Sequence, residues 1–264
     1  VFGDRMLHAR FVNTYSQGLT LDGYFLDAWP AFDRLARIME RQIGLTPWGP
    51  LLDHGVGFNF DCWYYYLYTG DKSALTEVMP RLVKFFNYLI KIKIVGGLVP
   101  VENLGVPVVW IDHDAYKKQR HKICAFNLYI AAMMQKAFAP LCEAFGMTDM
   151  ANKARAVGAE IQAVTVKTFW SPAKGMFVNN LPWVAEEKEE RICDRSLATA
   201  ILFDQCPQNI TKFCAKALAI VPATMGLSYP ANANWRYWAL AKAGSVQPII
   251  DDFRTRWYGI ESVA

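Results

Sequence analysis

Two Asp-His pairs stand inside aromatic loops. Asp53-His54 lies in "LLDHGVGF" (51–58), and Asp112-His113 lies in "VVWIDHDAY" (108–116). A carboxylate beside an imidazole that is neutral near pH 7 has the makings of a general base and a general acid. The same residue types also suit a metal ion, but the spacing carries no metal signature. Four further segments mix acids, amides and large rings: "LDGYFLDAWPAFDRL" (21–35), "VPVENLG" (99–105), "CDRS" (193–196) and "YPANANWRYW" (229–238). A sugar asks for this mixture. Its hydroxyls need paired acceptors and donors, and its C–H faces pack on aromatic rings. The candidate sugar-contacting groups are Asp22, Asp27, Trp29, Asp53, His54, Glu102, Trp110, Asp112, His113, Asn234 and Trp235.

Each candidate has a plainer alternative. Asp22, Asp27 and Asp33 serve equally well as turn and cap residues. Asp53 and Asp112 serve equally well as helix caps or loop braces. Glu102 beside Asn103 closes a turn. A lone histidine is usually structural, and any one ring of the aromatic run Phe58–Tyr68 is more often core than site.

These residues must be positioned by helices. "ALTEVMPRLVKFFNYLIKI" (74–92) repeats apolar side chains at three- and four-residue steps. Asp71 caps it, and Pro80 fits the first turn of a second helix. A long helix is expected over about residues 122–145, bent near Pro140 and closed by Gly146. Another is expected from Thr148 to about Phe169. Shorter helices are expected at 31–42, 194–205, 209–219, 233–243 and 246–257. Strand signals are short, and 96–101, 107–111 and 175–180 read as hairpin arms or extended loops. Helix, polar-aromatic loop and helix alternate, so the fold class is all-α. The natural closure is layered helical hairpins with short β-hairpins in the loops. No linker divides residues 1–264, which read as one domain.

Bulk properties narrow the function. The chain has 264 residues, 53% hydrophobic and 20% charged, enough for a sizeable core. Net charge is +4 with no basic stripe, and the densest charge run is "EEKEER" (186–191), so nucleic-acid binding has no support. No apolar run is long enough for a membrane span. The six cysteines form no CxxC pair and sit in apolar patterns, which reads as buried thiols. Zinc spacing is absent, and no cofactor is implied. The compartment is not readable; a periplasmic or extracellular one is favoured over the cytoplasm. Oligomeric state is open.

"DHGVGFNFDCWYYYLYTGDKSALTEVMPRLVKFFNYL" resembles the central helical hairpin of bacterial α-L-rhamnosidases of glycoside hydrolase family 78. "VWIDHDAYKKQRHKICAFNLYIAAMMQKAFAPLCEAFG", "FWSPAKGMFVNN" and "SYPANANWRYWALAKAG" continue the likeness. The resemblance implies an (α/α)6 toroid with a sugar pocket at its loop-rich end. It also implies inverting hydrolysis of a terminal deoxy-sugar from a plant-type glycoside or polysaccharide. In that chemistry one carboxylic acid protonates the leaving oxygen and an opposing carboxylate activates water. Gly3-Asp4 resembles the pair that follows the family's acid, which places the acid before Val1. The base falls at or beyond the C-terminus, with Glu261 the candidate in range, so the domain reads as truncated at both ends. Asp112 is the second catalytic candidate. Where relatives often carry Trp at the mouth of the aromatic helix, this chain has His54, and in the later loop it has Asp112-His113. Two other functions compete. One is a helical-toroid sugar lyase or epimerase using the Asp-His pairs. The other is a non-catalytic sugar-binding helical domain.

Overall fold

Helix α1 (Arg5–Ser16) carries His8, Phe11 and Tyr15 at three- and four-residue steps, which puts them on one face. That face meets the aromatic helix α2 (Leu52–Thr69). His8 stands edge-on to Tyr65 at 5.2 Å, and Tyr15 packs on Phe58 at 4.6 Å, so the two helices run antiparallel. The computed structural model describes residues 5–27, 29, 50–105, 108–111 and 116–259. The helix expected at 31–42 lies outside them.

The expected all-α class is what the structure shows. Backbone contacts divide the chain into two compact units. One comprises residues 1–111 and 118–164; the other comprises 112–117 and 165–264.

In the first unit, α2 ends as its "TGD" tail dictates. Gly70 takes the left-handed conformation (φ 67°), and its N–H donates to the Tyr66 carbonyl at 2.8 Å. Asp71 then accepts from the Ser73 N–H and hydroxyl, at 2.8 and 2.7 Å, and from the Tyr65 hydroxyl at 2.7 Å. These bonds hold its carboxyl down at about 2, the Tyr65 bond first. The cap expected at Asp71 therefore serves a short 3-10 turn, Ser73–Leu75. Helix α3 (Met79–Lys91) follows with Pro80 in its first turn, as the pattern predicts.

Helix α4 (Ile123–Met133) is buried on every side. A π-helical turn, Met134–Phe138, joins it to α5 (Ala139–Ala144). Pro140 has no N–H to give the Lys136 carbonyl, and the wider turn lies immediately upstream. Gly146 (φ 73°) closes α5, and α6 (Thr148–Phe169) follows.

At 96–101 the chain is a loop and not a hairpin arm. The backbone of Val99 is instead held by the buried Asn127 amide, through Val99 N–H to Oδ1 at 2.8 Å and Nδ2–H to the Val99 carbonyl at 2.9 Å. Of the stretch 107–111, residue 107 lies outside the described residues, and within 108–111 an isolated bridge pairs Val108 with Leu51.

In the second unit, β1 (Trp170–Ser171) and β2 (Met176–Phe177) make the antiparallel hairpin expected near 175–180. A single helical turn, α7 (Val184–Glu187), leads to β3 (Ile192–Cys193). Helices α8 (Asp194–Leu202) and α9 (Lys212–Ile220) follow, then β4 (Met225–Gly226), which pairs in parallel with β3. Buried Arg236 of α10 (Asn234–Lys242) ties its neighbours together. Its Nε donates to the Leu218 carbonyl of α9 at 2.7 Å, and its Nη1 meets Asp252 of α11 (Gln247–Thr255) at 2.5 Å.

Candidate functional site

The start of α2 is a junction of loops. Gly55 explains how close they come. A Cβ at Gly55 would sit 2.7 Å from the Phe85 ring and 3.3 Å from Phe25, so only glycine lets α2 approach α3 here. Gly55 and Gly57 are helical residues that permit close packing, not members of an open loop.

Residues 108–111 dock on this helix start through four hydrogen bonds. The Val108 N–H donates to the Pro50 carbonyl at 2.9 Å, and the Leu52 N–H donates to the Val108 carbonyl at 2.8 Å. The N–H groups of Trp110 and Ile111 donate to Asp53 Oδ1 and Oδ2, each at 3.0 Å. Asp53 thus spends both carboxylate oxygens on bracing the loop. It holds Ile111 at φ 53°, an uncommon conformation for a β-branched residue. Asp27, from a separate loop, accepts from the Leu51 N–H at the same helix start.

The adjacent His54 points elsewhere. Successive helical residues face directions about 100° apart, and the His54 side chain is 43% exposed, with Nδ1 3.9 Å from Asp27 Oδ1. The imidazole is therefore near Asp27, while Asp53 is committed to backbone.

Beside the docked loop lies a cavity of about 640 Å³. Its apolar lining comes from Leu51, Val101, Val108 and Val109, with the Trp110 indole. Its polar lining comes from Glu102, Asn103, Gln119 and Lys122. The Glu102 carboxylate accepts from the Arg120 N–H at 3.1 Å, with Arg120 Nε 3.9 Å away. Gln119 Nε2 donates to the Val109 carbonyl at 2.6 Å and Lys122 Nζ to the same oxygen at 3.3 Å, so both side chains are anchored at the rim. The volume falls in the range of small-molecule sites, roughly 300–1,000 Å³. An indole beside a carboxylate and an amide suits a polyhydroxylated ring with one apolar face.

Of the candidate residues, Glu102 and Trp110 line this cavity, and Asp27, Asp53 and His54 meet at the adjoining helix start. Asp22 is exposed, and Trp29 is half-buried against Gly18. Asp33, Asp112, His113 and Glu261 lie outside the described residues. Asn234 and Trp235 belong to the second unit. There the Arg195 guanidinium lies 4.0 Å from the centre of the Trp235 ring, so one face of that ring is covered by a cation. The Asn234 Oδ1 is buried without a hydrogen-bond partner among the described residues.

Three residues on or near the first-unit site escape motif reading. Gln119 and Lys122 sit in "KKQRHK", where a basic run reads as a solvated turn; their three-residue spacing on a helical turn was the usable signal. Asp61 is hidden in the aromatic run of α2. Burial pushes its carboxyl up to about 6. Its charge, with those of Asp27 and Asp53, adds to the burial that raises the Tyr15 hydroxyl.

No family model and no curated protein matches the chain. Solved structures do. A rhamnosidase of family GH78 from Bacillus sp. GL1 superposes with a TM-score of 0.75 at 16% identity, covering 97% of this chain and 25% of that one. A rhamnosidase from Klebsiella oxytoca with rhamnose bound gives 0.75 at 17% identity, covering 98% of this chain and 47% of that one. The chain thus spans between a quarter and about half the length of these relatives, and it shares their helical fold.

Proposed function

We propose that this chain is a glycosidase-like domain of the α-L-rhamnosidase type, acting on a carbohydrate by inverting hydrolysis. The observation that carries the reading is the fold likeness over nearly the whole chain to two rhamnosidases, one of them holding rhamnose. The cavity beside α2 supports it. Trp110 would pack on the C–H face of a terminal deoxy-sugar, and Glu102 and Gln119 would meet its hydroxyls. His54 and Asp27 would stand at the neighbouring rim, with Asp22 and Trp29 on the same loop. Asn234 and Trp235 are the second unit's proposed sugar contacts. Residues 1–264 are taken as one domain.

Two carboxylates are needed on opposite sides of the glycosidic bond. Asp112 and Glu261 are the proposed pair in this chain, with His113 beside the first. Asp53 is a poor base, because both of its oxygens already accept backbone N–H groups. That weighs against a lyase or epimerase built on the Asp53-His54 pair.

The experiment is release of nitrophenol from aryl α-L-rhamnoside, by this chain and by a longer chain carrying flanking sequence. Turnover with an anomerically inverted product supports the proposal, and Trp110→Ala should then raise KM at least tenfold. No turnover by either chain on rhamnosides or on a panel of other glycosides overturns it. Calorimetric binding of sugars without any turnover points instead to a carbohydrate-binding domain.

A further inference from the structure

Two cysteines that the sugar chemistry does not use lie side by side in the second unit. The sulfurs of Cys206 and Cys214 are 4.0 Å apart, and both thiols are free. A disulfide needs them at about 2.05 Å, a closure within reach of side-chain rotation and small backbone adjustment. We propose that Cys206 and Cys214 are a redox-active dithiol, closing to an intramolecular disulfide by exchange with a low-molecular-weight disulfide such as glutathione disulfide.

The backbone brings them together deliberately. Cys206 precedes a 3-10 turn, Pro207–Asn209, and Cys214 lies in the first turn of α9. Within that turn Gln208 and Asn209 hold φ at 53° and 56°. Two consecutive non-glycine residues in the left-handed region cost energy. They reverse the chain so that residue 206 returns to the helix start.

The two sulfurs are not equivalent. Cys206 is 4% exposed and Cys214 is fully buried. Cys214 also lies 3.8 Å from the Gly175 carbonyl, the alternative acceptor for its one S–H. The Lys242 ammonium, bound to Asp204 and the Leu202 carbonyl at 2.8 Å each, brings positive charge near Cys206, but the Asp204 carboxylate acts against it more strongly. The hydrogen bond from Cys214 lowers Cys206 below the ordinary thiol range and raises Cys214 above it. Cys206 is therefore the attacking sulfur and Cys214 the resolving one.

The steps balance. The Cys206 thiolate attacks one sulfur of glutathione disulfide, forming a mixed disulfide and releasing one glutathione thiolate. Cys214 gives up its proton and attacks the Cys206 sulfur, forming the Cys206–Cys214 bond and expelling the second glutathione thiolate. The protein loses two electrons and two protons; the glutathione disulfide is reduced to two thiols. The bond would tie the 204–211 connection to α9, whose Phe213 packs against Gly175 of the β1–β2 turn.

The test equilibrates the native protein with glutathione buffers of varied oxidised-to-reduced ratio, quenches by alkylation and maps disulfides by mass spectrometry. The expected result is one cross-link, Cys206–Cys214, with the other four cysteines alkylated only after unfolding. Cys214→Ser should trap glutathione on Cys206, while Cys206→Ser should remain unmodified; circular dichroism confirms that both variants fold. A native protein without the link, a link seen only in denaturant, scrambled pairs, or an adduct on Cys214 in the Cys206→Ser variant would each overturn the proposal.

Discussion

Asp61 offers the sharpest physical test, because it is a carboxylate in the middle of an apolar helix. It lies between Phe60 and Cys62 on α2, and burial alone moves its carboxyl from 3.8 to about 6. Each pH unit of such a difference corresponds to about 1.36 kcal/mol, so the native state holds this proton roughly 3 kcal/mol more tightly than the unfolded chain. The sign follows. Between pH 3.8 and about 6 the native state binds more protons than the unfolded state, so stability falls as pH rises through that window. Above it the penalty is fully present, and below it the penalty vanishes. Asp61→Asn removes the titration while keeping size and shape. The variant's stability relative to the natural chain should therefore grow by about 2–3 kcal/mol between acid and neutral pH. Urea unfolding of both proteins at several pH values spanning the window, analysed by linear extrapolation, measures that gap. A gap independent of pH would show that the carboxylate ionises in the fold as freely as in water, and the burial argument would fail.

Asp53→Ala should destabilise the fold by roughly 2–4 kcal/mol, because two backbone N–H groups lose their acceptor at once. Hydrogen exchange at Trp110 and Ile111 should accelerate, and unchanged protection there would refute the brace. Gly55→Ala forces a methyl group onto the Phe85 ring. Overpacking of about 1–3 kcal/mol outweighs a gain in helix propensity of about 1 kcal/mol, so the melting temperature should fall; a rise would mean that α2 and α3 relax apart easily. Tyr15→Phe removes a buried hydroxyl without a partner among the described residues. It should leave stability unchanged or raise it by about 1 kcal/mol, as differential scanning calorimetry would show.

Local order was legible in the sequence, because the signals for it are local. The apolar period of α3, Pro80 in its first turn and Gly146 after α5 each act over four residues or fewer, and the structure places them as read. The mixture of rings and acids in the loops likewise needs no partner to be noticed. What tertiary structure alone decided is which side each polar group faces and what it meets. Asp53 and His54 are neighbours in sequence, yet one is bound to N–H groups 57 and 58 residues away and the other turns outward. Val99 sits in an apparent strand, but its hydrogen-bond partner is a buried amide 28 residues on. Gly55 reads as a loop residue until Phe85 is brought against it. Helix periods and caps are properties of neighbouring residues. The partners of a buried carboxylate, amide or thiol are chosen by packing between distant segments, and no spacing along the chain encodes them.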